Sequence, residues 1–242
     1  MAQAVPYPPP LGVLMMAASP VIVFIGGILA TNMGADPALV TLPVTVMILG
    51  VASAAIPAAL LAQKQGRRFA TFTGFTIGFS GTMVAMLAAL NGSFKLLVLA
   101  SLVFGISTAF IQQLRFAAIE SVSNSNEVPT VLSILMLSGI FSAFLGPEIA
   151  VTAKDWLSSP HGYAGSFLFL AGLYLVAMLL MLKFTNPEVK HSDNQGDIRP
   201  LSEIIKQPIF IIAILSAAIG FALMSYLMTA TPLSMHQLHG HS

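Results

Sequence analysis

Long apolar runs broken by short polar segments repeat along this chain from residue 11 to residue 229. A membrane-crossing helix needs about 20 mostly apolar residues. Windows at 11–31, 40–62, 70–90, 96–118, 130–152, 165–184 and 208–229 meet that requirement. The first five breaks are short: TNMGADP, QKQGRR, NGSFK, ESVSNSNEV and KDWLSSPHGYAG. The sixth, TNPEVKHSDNQGDIRPLSEIIKQ, is long and charged and reads as a solvated linker. The pattern predicts an all-α, polytopic membrane helical bundle. Its expected parts are a six-span bundle over residues 1–184, a linker over 185–207, and a seventh span opening a second bundle over 208–242.

Composition agrees with a bilayer setting. The chain is 56% hydrophobic and 8% charged, with a mean hydropathy of +0.88. Soluble domains carry about 25% charged residues. A soluble protein with so little charge could not cover its own surface. The absence of cysteine excludes disulfides, thiolate zinc sites and iron–sulfur clusters. The opening MAQAVPYPPP has no Lys or Arg, so it lacks the basic region of a secretory signal, and the first apolar run reads as a retained span.

Charge placement predicts orientation, because Lys and Arg collect in cytoplasmic loops. The second break holds Lys64, Arg67 and Arg68, and the linker holds Lys190, Arg199 and Lys206 with Lys183 at its edge. Loops on the other side hold Lys95 and Lys154. The N-terminus and the linker are therefore expected inside, and the tail after the seventh span outside.

The basic turn carries a finer pattern. Lys64, Arg67 and Arg68 anchor the second and third spans at the inner face, and Gly66 permits a tight reversal between them. That anchoring is the plain structural explanation. The spacing in ALLAQKQGRR also resembles the loop signature of the major facilitator superfamily, G-x-x-x-D-[RK]-x-G-R-[RK], which lies between the second and third spans. Lys64, Gly66, Arg67 and Arg68 match it. Ala59 stands where the family has Gly and Gln63 where it has Asp. The resemblance implies a cytoplasmic gate at this turn. Glu120, ending the fourth span on the same side, is the expected replacement acid for Arg67 or Arg68.

In the fifth span, SILMLSGIFSAFLGPEI is similar to a degraded antiporter signature of the same family. Gly146 and Pro147 match its Gly-Pro helix bend, while Ser142 and Ala150 replace glycines. Close helix packing through small residues is the simpler account. QLRFAAIESV and SYLMTATPLSMH look like segments of uncharacterised bacterial members. The resemblance implies a secondary transporter of the bacterial inner membrane, embedded in lipid. It would move a small solute by alternating access, driven by H+ or another coupling ion or by the solute's own gradient, and without an organic cofactor. A complete member has twelve spans, so the chain is expected to be the N-terminal half plus the seventh span, lacking its C-terminal half and inactive alone.

Polar and ionisable groups within spans are the candidates for the substrate path. Arg115 falls near the inner end of the fourth span, where it could instead snorkel to the interface. Gln112 and Gln113 precede it, and by resemblance the first and fourth spans line the cavity. Glu148 follows Pro147 toward the outer end of the fifth span, and Asn32 ends the first. Either could also face water.

Other classes fit less well. GFSG at residues 78–81 has the form of an intramembrane serine-protease nucleophile, but the five histidines lie in loops or the tail. No lysine stands in the seventh window for a retinal Schiff base. His236, His239 and His241 have no carboxylate beside them and read as a polar tail rather than a metal site. A phosphate-binding Gly-rich loop and a basic-aromatic nucleic-acid patch are both missing from the sequence. The alternative function is a non-transporting helical scaffold or partner subunit.

Overall fold

The computed structural model describes residues 18–120, 128–182, 203 and 206–239. Among them the order is α1 (Ala18–Asn32), a 3-10 turn (Pro37–Leu39), α2 (Leu42–Gln65), α3 (Arg67–Asn91), α4 (Phe94–Ile111), α5 (Gln113–Glu120), α6 (Val128–Thr152), α7 (Ala164–Leu182) and α8 (Pro208–His239). No strand occurs among the described residues. An apolar chain in lipid has no water to satisfy its peptide groups, so it makes its hydrogen bonds within each helix. α2, α3, α6, α7, the α4 segment and the first part of α8 are long and apolar enough to cross a membrane; Pro20–Asn32 is a shorter apolar helix.

The predicted windows overlap these helices, with residues 11–17 of the first outside the described residues; the seventh runs past its expected end, as α8 to His239, so His236 and His239 lie on a helix rather than in a tail. The fourth window is broken at Gln112, between α4 and α5. Gln112 accepts a tight-turn hydrogen bond from the Arg115 N–H at 3.2 Å. Two adjacent glutamines form a polar step at which the ladder is interrupted.

The chain divides into two compact units, residues 1–187 and 188–242. The second contains α8, whose Pro208–Leu227 segment is apolar enough to cross a membrane and largely exposed. In the first, α4 is central and packs most extensively on α2 and α3, while α7 packs on α3 and α6 on α1. The core gathers Ile22, Ile25, Leu29, Phe75, Leu97, Phe104, Phe167 and Leu170.

Packing in lipid relies on small residues that let backbones approach. A Cβ added to Gly50 on α2 would lie 2.5 Å from the Leu102 carbonyl oxygen and 3.1 Å from Gly105 Cα on α4. Gly78 on α3 makes room for the Tyr174 ring of α7, which stands edge-on to Phe75. The Tyr174 hydroxyl hydrogen-bonds Ser107, and Ser107 Oγ donates to the Gly74 carbonyl at 2.7 Å. These contacts join α3, α4 and α7 in the bundle interior.

Candidate functional site

The basic turn begins with the end of α2. Gly66 stops that helix with φ 88° and ψ 157°, and α3 starts at the next residue. A positive φ costs a residue with a Cβ far more than it costs glycine, so Gly66 is fixed by geometry. Lys64 stands in the last turn of α2, exposed like Gln63. Arg67 and Arg68 then point back over the bundle.

Arg67 Nη1 donates to Gln113 Oε1 at 2.9 Å, and its guanidinium lies 5.2 Å from the centre of the Phe116 ring. Gln113 is 8% exposed, so this amide is a buried acceptor. Arg68 Nε donates to the Met181 carbonyl at 3.2 Å and Nη2 to the Leu182 carbonyl at 2.7 Å. The last carbonyls of a helix have no intrahelical donor and carry partial negative charge. Arg68 supplies both donors and the positive charge at the end of α7. One turn thus holds α5 through Arg67 and α7 through Arg68. The expected pairing with Glu120 involves a side chain outside the described residues; its backbone ends α5.

The remaining candidates do not converge. Gln112 is exposed at the helix break and Arg115 is partly buried one turn later, both at the basic-turn end of the bundle. Asn32 lies at the other end, where its Nδ2 donates to the His161 carbonyl at 3.2 Å. Glu148 is exposed near the same end of α6, four residues beyond Phe144 on the same face. Gly146 meets α1 so closely that an added Cβ would lie 2.5 Å from Pro20 Cβ, and Pro147 follows within the helix.

Sequence reasoning missed a second polar corner, around His161. Ser159 Oγ donates to the Ala89 carbonyl at 2.8 Å, and the His161 ring sits against Gly92, whose φ is 64°. Gly162 and Tyr163 follow with φ of 78° and 63°. Burial, then the nearby Asp155 carboxylate, pushes the Tyr163 phenol above its usual value of 10.0. Positive φ at the non-glycine Tyr163 is a conformation that side-chain patterns do not announce. Phe116, which stacks on Arg67, was equally invisible as one more aromatic in an apolar run.

The chemistry on view is that of helix clamping. Ser80 Oγ is spent on the Ile77 carbonyl at 2.7 Å. Among the described residues, no group of three or more His, Cys, Asp or Glu side chains could hold a metal ion.

The chain is 33% identical over 225 residues to the riboflavin transporter RfnT of Brucella anthropi, covering 92% of this chain and 56% of that protein. It is 27% identical to the uncharacterized MFS-type transporter YdeG of Bacillus subtilis, covering 90% of this chain and 54% of that one. To YddS of the same bacterium, likewise an uncharacterized MFS-type transporter, it is 25% identical, with 90% and 52% covered. The chain spans about half the length of the curated relatives it matches. With the Major Facilitator Superfamily model matching residues 11–242, and a glycine turn whose arginines grip two further helices, the chain belongs to the major facilitator superfamily.

Proposed function

We propose that this chain is the N-terminal bundle and seventh span of a secondary transporter that moves a small solute by alternating access. The observation that carries the reading is the family match over residues 11–242. The proposed solute class is a flavin or a similar planar, polar-edged heterocycle. Its support is the 33% identity to a riboflavin transporter over nearly the whole chain. Binding falls near the bilayer midplane between this bundle and a second one. Asn32, Gln112, Arg115 and Glu148 are the proposed contacts along the path, with H+ or another ion as the proposed coupling ion.

The basic turn is the proposed inner gate. In this reading Lys64, Gly66, Arg67 and Arg68 face the cytoplasm, the N-terminus is cytoplasmic and the chain resides in the bacterial inner membrane. Arg67 and Arg68 hold α5 and α7 to one turn, so those helices move with it as a body. Glu120 is the proposed acid near the same turn. The relatives are almost twice as long, and the partner half supplies the other wall of the path.

Uptake of labelled riboflavin by a bacterium unable to make or import flavins tests this. Expression of the complete transporter is expected to restore saturable uptake, and residues 1–242 alone are expected to give none. A complete transporter that moves other small solutes but not riboflavin removes the substrate class and leaves the transport reading. A protein that moves no solute overturns both in favour of a scaffold.

A further inference from the structure

The segment from Ser159 to Tyr163 lies in the loop between α6 and α7 and carries two local costs. Tyr163 has φ 63°, a left-handed conformation that is unfavourable for a residue with a Cβ. His161 Nδ1 is buried and has no hydrogen-bond partner. A buried polar atom left unpaired disfavours the state that contains it. Conformations of this kind persist only where the surroundings hold them.

The fastenings come from two other helices. Asn32 Nδ2, at the end of α1, donates to the His161 carbonyl at 3.2 Å, and Ser159 Oγ donates to the Ala89 carbonyl of α3 at 2.8 Å. The His161 ring lies over Gly92, where an added Cβ would run into it. Within the segment, the Gly162 N–H donates to the Ser159 carbonyl at 3.2 Å and the His161 N–H to Ser159 Oγ at 3.4 Å. None of Ser159, Pro160, His161, Gly162 and Tyr163 is fully buried, whereas α7 is buried from its first residue through Phe167. The segment can therefore lift while α7 stays packed, as loops with few buried apolar contacts do.

We propose that Ser159–Tyr163 is a clasp that closes on Asn32 and competes with the solute for its side-chain amide. With the clasp shut, Nδ2 holds the His161 carbonyl and ties that end of α1 to the loop before α7. With it open, the amide turns to the solute path, Tyr163 leaves its left-handed conformation and His161 Nδ1 reaches water. The competition rests on the reading above of Asn32 as a contact along the path; the clasp itself rests on the geometry alone. Linkage makes the coupling reciprocal: a solute that binds Asn32 opens the clasp, and a tighter clasp weakens solute binding.

Hydrogen exchange at the Gly162 amide reads the opening, in the 242-residue chain in lipid nanodiscs. Asn32→Ala and Ser159→Ala each remove one fastening and should lower the Gly162 protection factor about fivefold. His161→Phe keeps a ring over Gly92 without the unpaired nitrogen and should raise it about threefold. Protected amides across Phe94–Ile111 show that each variant is folded, and either fastening variant suffices if the other is lost. Unchanged protection in the folded fastening variants overturns the clasp. Unchanged or lowered protection in His161→Phe overturns the cost assigned to its closed state. The complete transporter is then compared with and without saturating riboflavin, which should lower Gly162 protection about threefold on binding. Riboflavin transport with unchanged Gly162 protection overturns the competition. If riboflavin is not transported and the fastening variants behave as expected, the clasp stands and the proposed substrate falls.

Discussion

Removing the Gln113 side-chain amide tests the clamp at the basic turn most cleanly. Arg67 donates a 2.9 Å hydrogen bond to Gln113 Oε1 there and stacks over Phe116 at 5.2 Å. A hydrogen bond from a charged donor contributes about 1.5–3 kcal/mol. Gln113 is 8% exposed, so water screens the pair weakly. Phe116 is 51% exposed, which puts its cation–π contact at the low end, about 0.5–1 kcal/mol. A double-mutant cycle between Arg67→Ala and Gln113→Ala should therefore return a coupling near 1.5–3 kcal/mol, and one between Arg67→Ala and Phe116→Leu less than about 1 kcal/mol. Single loss of Gln113 should lower the melting temperature of the chain in detergent by roughly 3–8 °C. Gln113→Glu offers the same acceptor geometry with a full charge and should retain or exceed wild-type stability. The assay is thermal unfolding followed by tryptophan fluorescence at Trp156, the single tryptophan. Coupling below about 0.5 kcal/mol between Arg67 and Gln113, at the level of an exposed pair, would refute the reasoning.

Other consequences can be checked in the same preparations. Gly50→Ala places a Cβ 2.5 Å from a backbone oxygen where carbon contacts need about 3.5 Å, so the α2–α4 crossing must open; a loss of about 1–3 kcal/mol is expected. Gly172→Ala in α7 meets nothing within 4 Å and should be neutral or stabilising by up to about 1 kcal/mol, so equal effects from the two glycines would contradict the packing. Arg68→Met leaves the Met181 and Leu182 carbonyls without these donors, and hydrogen exchange in the last turn of α7 should rise roughly tenfold. Tyr163 binds its proton more tightly folded than unfolded, so its contribution is fully present below pH 10.0 and is lost as pH rises through the folded value. Absorbance at 295 nm should show a phenol titrating above 10.0, moved down by Asp155→Asn and absent in Tyr163→Phe; titration at or below 10.0 contradicts the burial.

The helices were legible because a bilayer imposes a length and a composition that a chain cannot hide. Residues 70–90 and 165–184, read from apolarity alone, correspond to α3 at Arg67–Asn91 and α7 at Ala164–Leu182. The break in the fourth span was not legible. Gln112 and Gln113 look alike in a linear string, yet one is exposed and the other is buried against Arg67, and that difference is made by a partner 46 residues away. The basic turn was found by its spacing. Its work was only half read: anchoring of the second and third spans was anticipated, while Arg68 caps the end of α7, 114 residues distant. Asn32 was read as a candidate for the substrate path that could also face water. It holds the His161 loop, a contact that depends on how the ends of α1 and α7 meet. Ser142 was read as a glycine replacement in a packing motif. Only the described neighbours show that its hydroxyl goes unused.

Solute flux through the complete transporter in proteoliposomes, wild type against Arg67→Ala and Gly66→Leu, tests the central claim most directly. Saturable counterflow of riboflavin or a related heterocycle is the predicted result, falling at least tenfold in both variants while protein yield and insertion hold. Undiminished flux in both variants would contradict the assignment of the basic turn to the gate, and absence of flux for every solute tried would contradict the transporter itself.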